Sequence, residues 1–275
     1  MPDVVTSDGV RLRSVERGAG PPIVLVHGWK ASHRIWDRTI ASLEGGFRTI
    51  AYDLRGMGGS EKPSTTYDFA EHASDLAAVL EHYDVTDATL VAWSMGCSVA
   101  LEHMRAGGGR VGRLVLVNGP VKLVSSDDFP WSLTQAELDA YLHDLEQRWP
   151  EGELEFQRAT FHEPVDHVVR WILDIALQTP LDVVLKAVRA QALLDHREVV
   201  RTLRVPVLAI YGRHDPYYPV ELADWIARTA PDGRAEIMER SAHFPFLEPD
   251  SSAFNELVAR FARFGVAGGS AASAG

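Results

Sequence analysis

The sequence predicts an α/β protein in which a mostly parallel, doubly wound sheet is interrupted by a helical insertion. Apolar runs rich in β-branched residues alternate with segments of helical spacing, as expected of strands covered on both faces by crossover helices. The alternation stops over residues 121–196, where only helical patterns occur, and then resumes. With 275 residues, 46% of them hydrophobic, the chain is long enough for one core domain that carries such an insertion.

The first part of the core, residues 1–120, opens with residues that alternate around Ser7-Asp8-Gly9 and predict a hairpin. Continuous apolar runs then predict strands, and apolar residues three and four positions apart predict the helices between them. The predicted strands are 22–26, 47–52, 90–93 and 114–118. The predicted helices are 35–43, 67–83 and one that follows residue 94.

Helical patterns predict a cap over residues 121–196, and the second part of the core follows over residues 197–265. The predicted cap helices are 138–145, 168–177 and 181–194. The second part of the core has predicted strands at 205–212 and 235–238 and predicted helices at 220–229 and 251–264. Residues 266–275 are small and predict a flexible tail outside the fold.

Charge and composition exclude several classes of protein. Lys and Arg number 27 against 38 Asp and Glu, a net charge of -11 that disfavours nucleic acid and anionic membrane as partners. Cys97 is the one cysteine of the sequence, so an internal disulfide and a cysteine metal cluster are both excluded. The sequence shows no signal peptide and no run long enough to span a bilayer. We therefore expect a cytoplasmic protein with no metal and no cofactor.

One stretch, residues 88–101, places a serine between a strand and a helix. Ser94 has a small residue two positions before it, Ala92, and another two positions after it, Gly96. These positions must be small in a sharp strand–turn–helix unit, because the strand and the helix nearly touch. Such a turn lifts the Ser94 hydroxyl clear of the sheet and points the backbone N–H of Met95 toward a bound group.

Three strand ends carry the groups that nucleophilic catalysis by a serine requires. A serine hydroxyl needs a base within hydrogen-bond reach, and the base needs a group that fixes its tautomer and stabilises its charged form. Ser94, Asp215 and His243 follow three predicted strands in this chain order. Because the carboxyl ends of parallel strands lie at one edge of a sheet, we expect the three side chains to converge.

Two other residues compete for these roles. Asp53 also ends a strand, but its Arg55-Gly56 context favours a structural loop. Ser98 lies about one helical turn beyond Ser94, where a side chain cannot project from the apex of the turn. Ser94 and Asp215 are therefore preferred.

Several motifs together resemble the α/β-hydrolase superfamily, from about Val4 to Phe264. His27-Gly28-Trp29 resembles its oxyanion-loop motif, and residues 53–60 resemble its D-x-R-G-x-G-x-S loop. The contexts of Asp215 and His243 resemble those of the acid and the histidine of the family. The resemblance implies the α/β-hydrolase fold, with the backbone N–H groups of Trp29 and Met95 as the oxyanion hole.

Within this superfamily, the serine at position 94 disfavours dehalogenases and epoxide hydrolases, which would carry aspartate there. The segments around Trp29, Trp93-Ser94-Met95-Gly96 and residues 242–246 are similar to carboxylesterases that demethylate pimeloyl-carrier-protein methyl ester. Ser94-Met95-Gly96 is also similar to cofactor-free haloperoxidases and perhydrolases. Ala92 and Cys97 stand where these relatives usually have glycine, which leaves the subgroup open.

We therefore expect a serine hydrolase that cleaves a carboxylic ester, or a lactone, of a small and largely apolar substrate through an acyl-enzyme on Ser94. Among the aromatic residues, we expect Trp93, Trp131 and Phe244 to bind the substrate. Carbon–carbon bond hydrolysis and perhydrolysis with the same three side chains remain alternatives, as does a ligand-binding module with this fold. The sequence leaves the oligomeric state open.

Overall fold

A computed structural model describes residues 3–265 and shows a seven-stranded sheet in the order β3-β5-β4-β6-β7-β8-β9. Neighbouring strands are parallel except for β3, which pairs antiparallel with β5. The two remaining strands, β1 and β2, form the predicted hairpin, with Val4 opposite Leu12. The strands are β1 Val4–Val5, β2 Arg11–Leu12, β3 Ser14–Arg17, β4 Pro22–Val26, β5 Arg48–Tyr52, β6 Ala88–Trp93, β7 Val111–Val117, β8 Val207–Gly212 and β9 Gly233–Met238.

Ten α-helices connect or flank these strands within residues 3–265. They are α1 Asp37–Leu43, preceded by a 3₁₀ turn at His33–Trp36, α2 Phe69–His82, α3 Met95–Arg105, α4 Gln135–Arg148, α5 Glu153–Ala159, α6 Asp166–Ala176, α7 Leu181–Gln191, α8 Arg197–Thr202, α9 Val220–Thr229 and α10 Ser251–Phe264. The predicted class, a mostly parallel doubly wound sheet, is confirmed. Helices α5 and α8 were not predicted, because each spans less than two turns and shows too little periodicity.

The core consists of two apolar layers, one on each face of the sheet. Consecutive residues of a strand point to opposite faces, so Val24 and Val26 of β4 enter one layer while Ile23 and Leu25 enter the other. Helices α2, α3 and α9 cover the first layer, and α1 and α10 cover the second. This burial on both faces explains why the strands appear in the sequence as continuous apolar runs rather than alternating ones.

Capping residues fix where several helices begin and end. Asp68 before α2 and Thr134 before α4 each form a capping box with the glutamate three positions later. Gly265 directly follows the last residue of α10, and its φ of +65° suits glycine better than any other residue. These caps satisfy backbone groups that would otherwise lack partners, and they explain why the observed ends lie within a few residues of the predicted ones.

Helices α4 to α8 all lie between β7 and β8 in the chain. Leucines of α4 pack against Val184, Leu185 and Val188 of α7 in a small apolar cluster of their own. The predicted boundaries of the cap at residues 121 and 196 stay a prediction. The predicted tail, residues 266–275, lies outside the described residues. Among the helices of residues 3–265, none has both the length and the apolar character that a bilayer crossing requires.

We predict that His72 makes the fold sensitive to acid. His72 belongs to α2 and its side chain is fully buried. Neither ring nitrogen has a hydrogen-bond partner among residues 3–265, and burial lowers the pKa of His72 to about 3. Because the unfolded chain binds the proton from about pH 6.5 downward while the folded protein does not, the stability present above that pH is lost as the pH falls toward 3. For this group the loss at pH 5 is about 2 kcal/mol.

Urea unfolding at pH 7.5 and pH 5.0 measures this effect. We expect His72→Leu to reduce the difference in unfolding free energy between the two pH values by about 2 kcal/mol. His82→Leu, which removes an exposed histidine of the same helix, serves as the control and should behave as the wild type. An unchanged pH dependence in His72→Leu would contradict the prediction.

Candidate active site

Ser94 stands at a sharp turn between β6 and α3. Its φ of +55° and ψ of −124° are strained for a residue with a side chain. A Cβ at Gly96 would lie 2.8 Å from the carbonyl oxygen of Val26 and 2.6 Å from that of His27, so this position requires glycine. Ala92 is fully buried in β6 and is tolerated two residues before the serine. The turn leaves Ser94 8% exposed above the sheet.

The structure brings Ser94, His243 and Asp215 into one hydrogen-bonded chain. The Ser94 Oγ lies 3.1 Å from His243 Nε2, and His243 Nδ1 lies 2.8 Å from Asp215 Oδ2. An ionised carboxylate only accepts hydrogen bonds, so Nδ1 donates to Asp215 and Nε2 is left to accept the Ser94 proton. The second carboxylate oxygen of Asp215 accepts the backbone N–H groups of Tyr217 at 2.8 Å and Tyr218 at 3.2 Å. The acid is thus fixed on both oxygens.

Three side chains hold the loop that carries His243. The indole Nε1 of Trp93 donates to the carbonyl oxygen of His243 at 2.7 Å, and Asn118 Nδ2 donates to that of Ala242 at 2.6 Å. Glu248 accepts the N–H of Ala242 at 2.9 Å and that of Phe244 at 3.2 Å on one carboxylate oxygen. The backbone on both sides of His243 is therefore tied down.

Glu248 also connects this loop to the inserted helices. Its other oxygen accepts the backbone N–H of His162, between α5 and α6, at 2.8 Å. Burial raises the pKa of Glu248, and the three N–H donors oppose that shift by favouring the ionised form. Sequence reasoning missed this residue, since a glutamate five positions after a histidine carries no recognisable signal.

The two residues predicted to form an oxyanion hole lie beside Ser94. Trp29 and Met95 line the same cavity as Ser94 and His243. Within residues 3–265, the backbone N–H of neither residue donates to a protein acceptor. Met95 is the first residue of α3, where the partial positive charge of a helix N-terminus favours a negative group.

A cavity of about 160 Å³ opens over Ser94 and His243. Its walls are mostly aliphatic and aromatic, and many of the lining residues come from the segment between β7 and β8. The members from that segment include Leu133, Leu138, Phe156, Ile172, Ile175 and Val188. Lys30, Gln157 and Gln191 are also among the residues that line the cavity. The arrangement can hold a small apolar molecule against the serine hydroxyl.

Of the three predicted substrate-binding residues, Trp93 and Phe244 line this cavity. Trp131 is not among its walls and packs instead against Phe129 and Trp225, with ring centroids 5.1 and 6.2 Å away. The cavity lining therefore gives no support to the expectation for Trp131, which rested on composition alone and stays a prediction. Trp225, one of the two rings it contacts, belongs to α9.

Tyr217 and Tyr218 also line the cavity, and sequence reasoning did not single them out. Their ring centroids lie 5.1 and 6.0 Å from that of His243. Proximity to Asp215 in the chain was the one signal that pointed to them.

The competing residues have other partners. Asp53 Oδ1 accepts both the N–H of His33 at 2.5 Å and its Nδ1–H at 2.7 Å, and Oδ2 accepts the N–H of Gly59 at 2.7 Å. Asp53 therefore organises its own loop. The Ser98 Oγ accepts a hydrogen bond from Gln191 Nε2 at 2.9 Å inside the protein.

Comparison with known proteins places the chain in a family. The family described as alpha/beta hydrolases matches residues 23–256. The chain belongs to the alpha/beta hydrolase family. This match covers most of the sheet and all of the site described above.

Proteins that are similar to this chain include esterases and haloperoxidases. A non-heme chloroperoxidase from Kitasatospora aureofaciens is 30% identical over 95% of this chain and 99% of its own. A pimeloyl-[acyl-carrier protein] methyl ester esterase from Nitrosomonas europaea is 28% identical over 84% of this chain and 91% of its own. An esterase structure from Exiguobacterium antarcticum superposes with a TM-score of 0.91 at 27% identity, covering 95% of this chain and 98% of that one.

We predict that Glu248→Gln destabilises the protein. The amide replaces one charged acceptor oxygen by a donor that faces backbone N–H groups, and such charge-assisted bonds contribute about 1.5–3 kcal/mol each. Urea unfolding should show a loss of about 2–3 kcal/mol. Glu256→Gln, an exposed site on α10, is the control and should stay within about 0.5 kcal/mol of the wild type. Equal stabilities for the two variants would contradict the role of Glu248.

Proposed function

We propose that this protein is a serine hydrolase that cleaves carboxylic esters, lactones included, of small and largely apolar molecules. The hydrogen-bonded chain from Ser94 through His243 to Asp215, opening on an apolar cavity, is the observation that carries the proposal. Similar esterases that match 84% and 95% of the chain support it.

The proposed reaction proceeds in two halves through an acyl-enzyme. Nε2 of His243 takes the proton of Ser94 as Oγ attacks the ester carbonyl carbon, and the imidazolium is stabilised by Asp215. The tetrahedral intermediate collapses when His243 gives this proton to the leaving alcohol oxygen and the carbon–oxygen bond breaks. A water molecule then gives its proton to His243, attacks the acyl carbon and releases the acid, and the proton returns to Ser94.

We propose that the backbone N–H groups of Met95 and Trp29 hold the oxyanion of each intermediate. Neither group donates to a protein acceptor in the described part of the chain, and both residues lie at the cavity wall next to Ser94. Preorganised donors of this kind stabilise developing charge strongly, and loss of one lowers the rate by about 10²–10³-fold.

The side chains of the inserted segment indicate which class of substrate the cavity accepts. We propose that residues 121–196 act as a cap whose aliphatic side chains surround the acyl or alcohol group, while Trp93 and Phe244 form the opposite wall. Burial of each methylene of the substrate contributes about 0.8 kcal/mol. Esters of short to medium apolar acids should therefore bind better than highly polar ones, and a small-molecule substrate is the expected partner.

Perhydrolysis is the second candidate, favoured by the chloroperoxidase relative at 30% identity. In that reaction hydrogen peroxide rather than water takes the acyl group from Ser94. Formation of peracid from an ester and peroxide distinguishes it from hydrolysis. Carbon–carbon bond cleavage would use the same three side chains and is distinguished by activity on β-diketones in place of simple esters.

We predict that Ser94→Ala is folded but nearly inactive. Loss of the nucleophile of such a site lowers kcat by about 10⁶-fold. Release of nitrophenol from p-nitrophenyl acetate and butyrate measures activity, and circular dichroism checks the fold. Ser98→Ala is the matched control, because Ser98 lies on the same helix with its hydroxyl directed at Gln191, and it should keep activity within a few-fold. More than a few per cent of wild-type activity in Ser94→Ala would refute the assignment.

A further inference from the structure

A buried lysine immediately follows Trp29 in the loop beside Ser94. Lys30 has a φ of +54°, and only 1% of its side chain is exposed. Its Nζ lies 2.8 Å from Oε2 of Glu153, the first residue of α5, and the Glu153 side chain is 0% exposed. The ion pair thus joins the loop after β4 to a helix more than a hundred residues further along the chain.

Aromatic rings enclose the ammonium group. Nζ lies 4.1 Å from the ring centroid of Trp29 and 4.1 Å from that of Phe156, and 5.8 Å from that of Trp149. Attraction between a cation and aromatic faces adds to the ion pair. Burial lowers the pKa of Lys30 to about 8, and the charge of Glu153 opposes the shift.

Both oxygens of the Glu153 carboxylate have partners. Its second oxygen accepts a hydrogen bond from Gln157 Nε2 at 2.7 Å, one turn along α5. A buried ion pair contributes little to stability compared with apolar side chains of the same size, because both charges lose their hydration. A contribution to stability is therefore a weak explanation for the Lys30–Glu153 pair. The position of the pair next to Trp29 indicates a role in the site instead.

A second bond ties the same loop to the inserted helices. Trp29 Nε1 donates to the carbonyl oxygen of Val184 in α7 at 3.0 Å. Polar groups of two consecutive loop side chains thus bond to α5 and α7. Both anchors directly follow the peptide unit between Gly28 and Trp29, whose carbonyl oxygen accepts a hydrogen bond from His27 Nδ1 at 2.7 Å.

We propose that Lys30 and Glu153 are positioning residues whose ion pair holds the backbone N–H of Trp29 toward the oxyanion and makes this alignment depend on the seating of α5. The proposal rests on the proposed function, in which that N–H contacts the reacting oxygen. Because the oxyanion forms in the transition state, misalignment lowers kcat and leaves KM nearly unchanged.

The test uses a double variant that removes both charges. Lys30→Met/Glu153→Gln keeps the length of both side chains and leaves no unpaired buried charge, so it should fold, unlike either single change, which strands one charge. On p-nitrophenyl butyrate we expect kcat to fall about 10–100-fold, since displacements near 1 Å have effects of this size, with KM within about threefold of the wild type. Retention of kcat within twofold would overturn the proposal.

Two matched controls make the same types of substitution, Glu to Gln and Lys to Met, at exposed positions. Glu155→Gln lies on the same helix α5 with its side chain 75% exposed, and Lys186→Met lies on α7 with its side chain 41% exposed. Both should keep the wild-type kcat. If the double variant does not fold, Glu153→Asp withdraws the carboxylate while retaining its charge. It should lower kcat by several-fold with KM unchanged, and an unchanged kcat would again overturn the proposal.

Hydrogen–deuterium exchange provides a measurement that does not depend on turnover. The amides of residues 28–32 should exchange at least severalfold faster in the double variant than in the wild type or in Glu155→Gln. Unchanged exchange rates of these amides would overturn the proposal that the ion pair holds the loop. If the wild-type protein hydrolyses no ester, the proposed function fails, and the exchange rates alone decide whether the ion pair holds the loop.

Discussion

The strained turn at Ser94 is the constraint on which the rest of the site depends. A residue with a side chain adopts φ = +55° together with ψ = −124° only where the surroundings enforce it. Here β6 and α3 enforce it, because Gly96 packs directly against the carbonyl oxygens of Val26 and His27. Gly28 belongs to the same packing, since a Cβ there would lie 2.8 Å from that of Ser94. The buried sheet thus sets the position of the hydroxyl.

Hydrogen bonds and an ion pair then hold the other loops around the Ser94 hydroxyl. Asn118 at the end of β7 accepts the N–H of Gly212 at the end of β8 at 2.8 Å and donates to the carbonyl oxygen of Ala242. Glu248 bonds to the backbone of His162 and Lys30 pairs with Glu153, so both residues connect the site to the inserted segment. Strand ends, the histidine loop and the insertion are therefore held as one framework, and the cavity forms where they meet. Such a framework reduces the reorganisation needed as charge develops on the substrate.

The sequence predicted most of the sheet and the convergence of Ser94, Asp215 and His243, because both follow from chain order. Apolar runs identify strands buried on both faces, and residues that follow parallel strands must gather at one edge. The partners of Lys30 and the location of Trp131 were not predictable in this way. They depend on how the inserted helices pack over the core, and helical periodicity shows which face is apolar but not what it faces.

Reaction of the wild-type protein with a fluorophosphonate, followed by peptide mass spectrometry, tests most directly whether Ser94 is an activated nucleophile. We expect one phosphonyl group per chain on the peptide that contains Ser94, with labelling abolished in His243→Ala, which lacks the base. Labelling at another residue, no labelling of the folded protein, or equal labelling of His243→Ala would contradict the proposed role of the hydrogen-bonded chain.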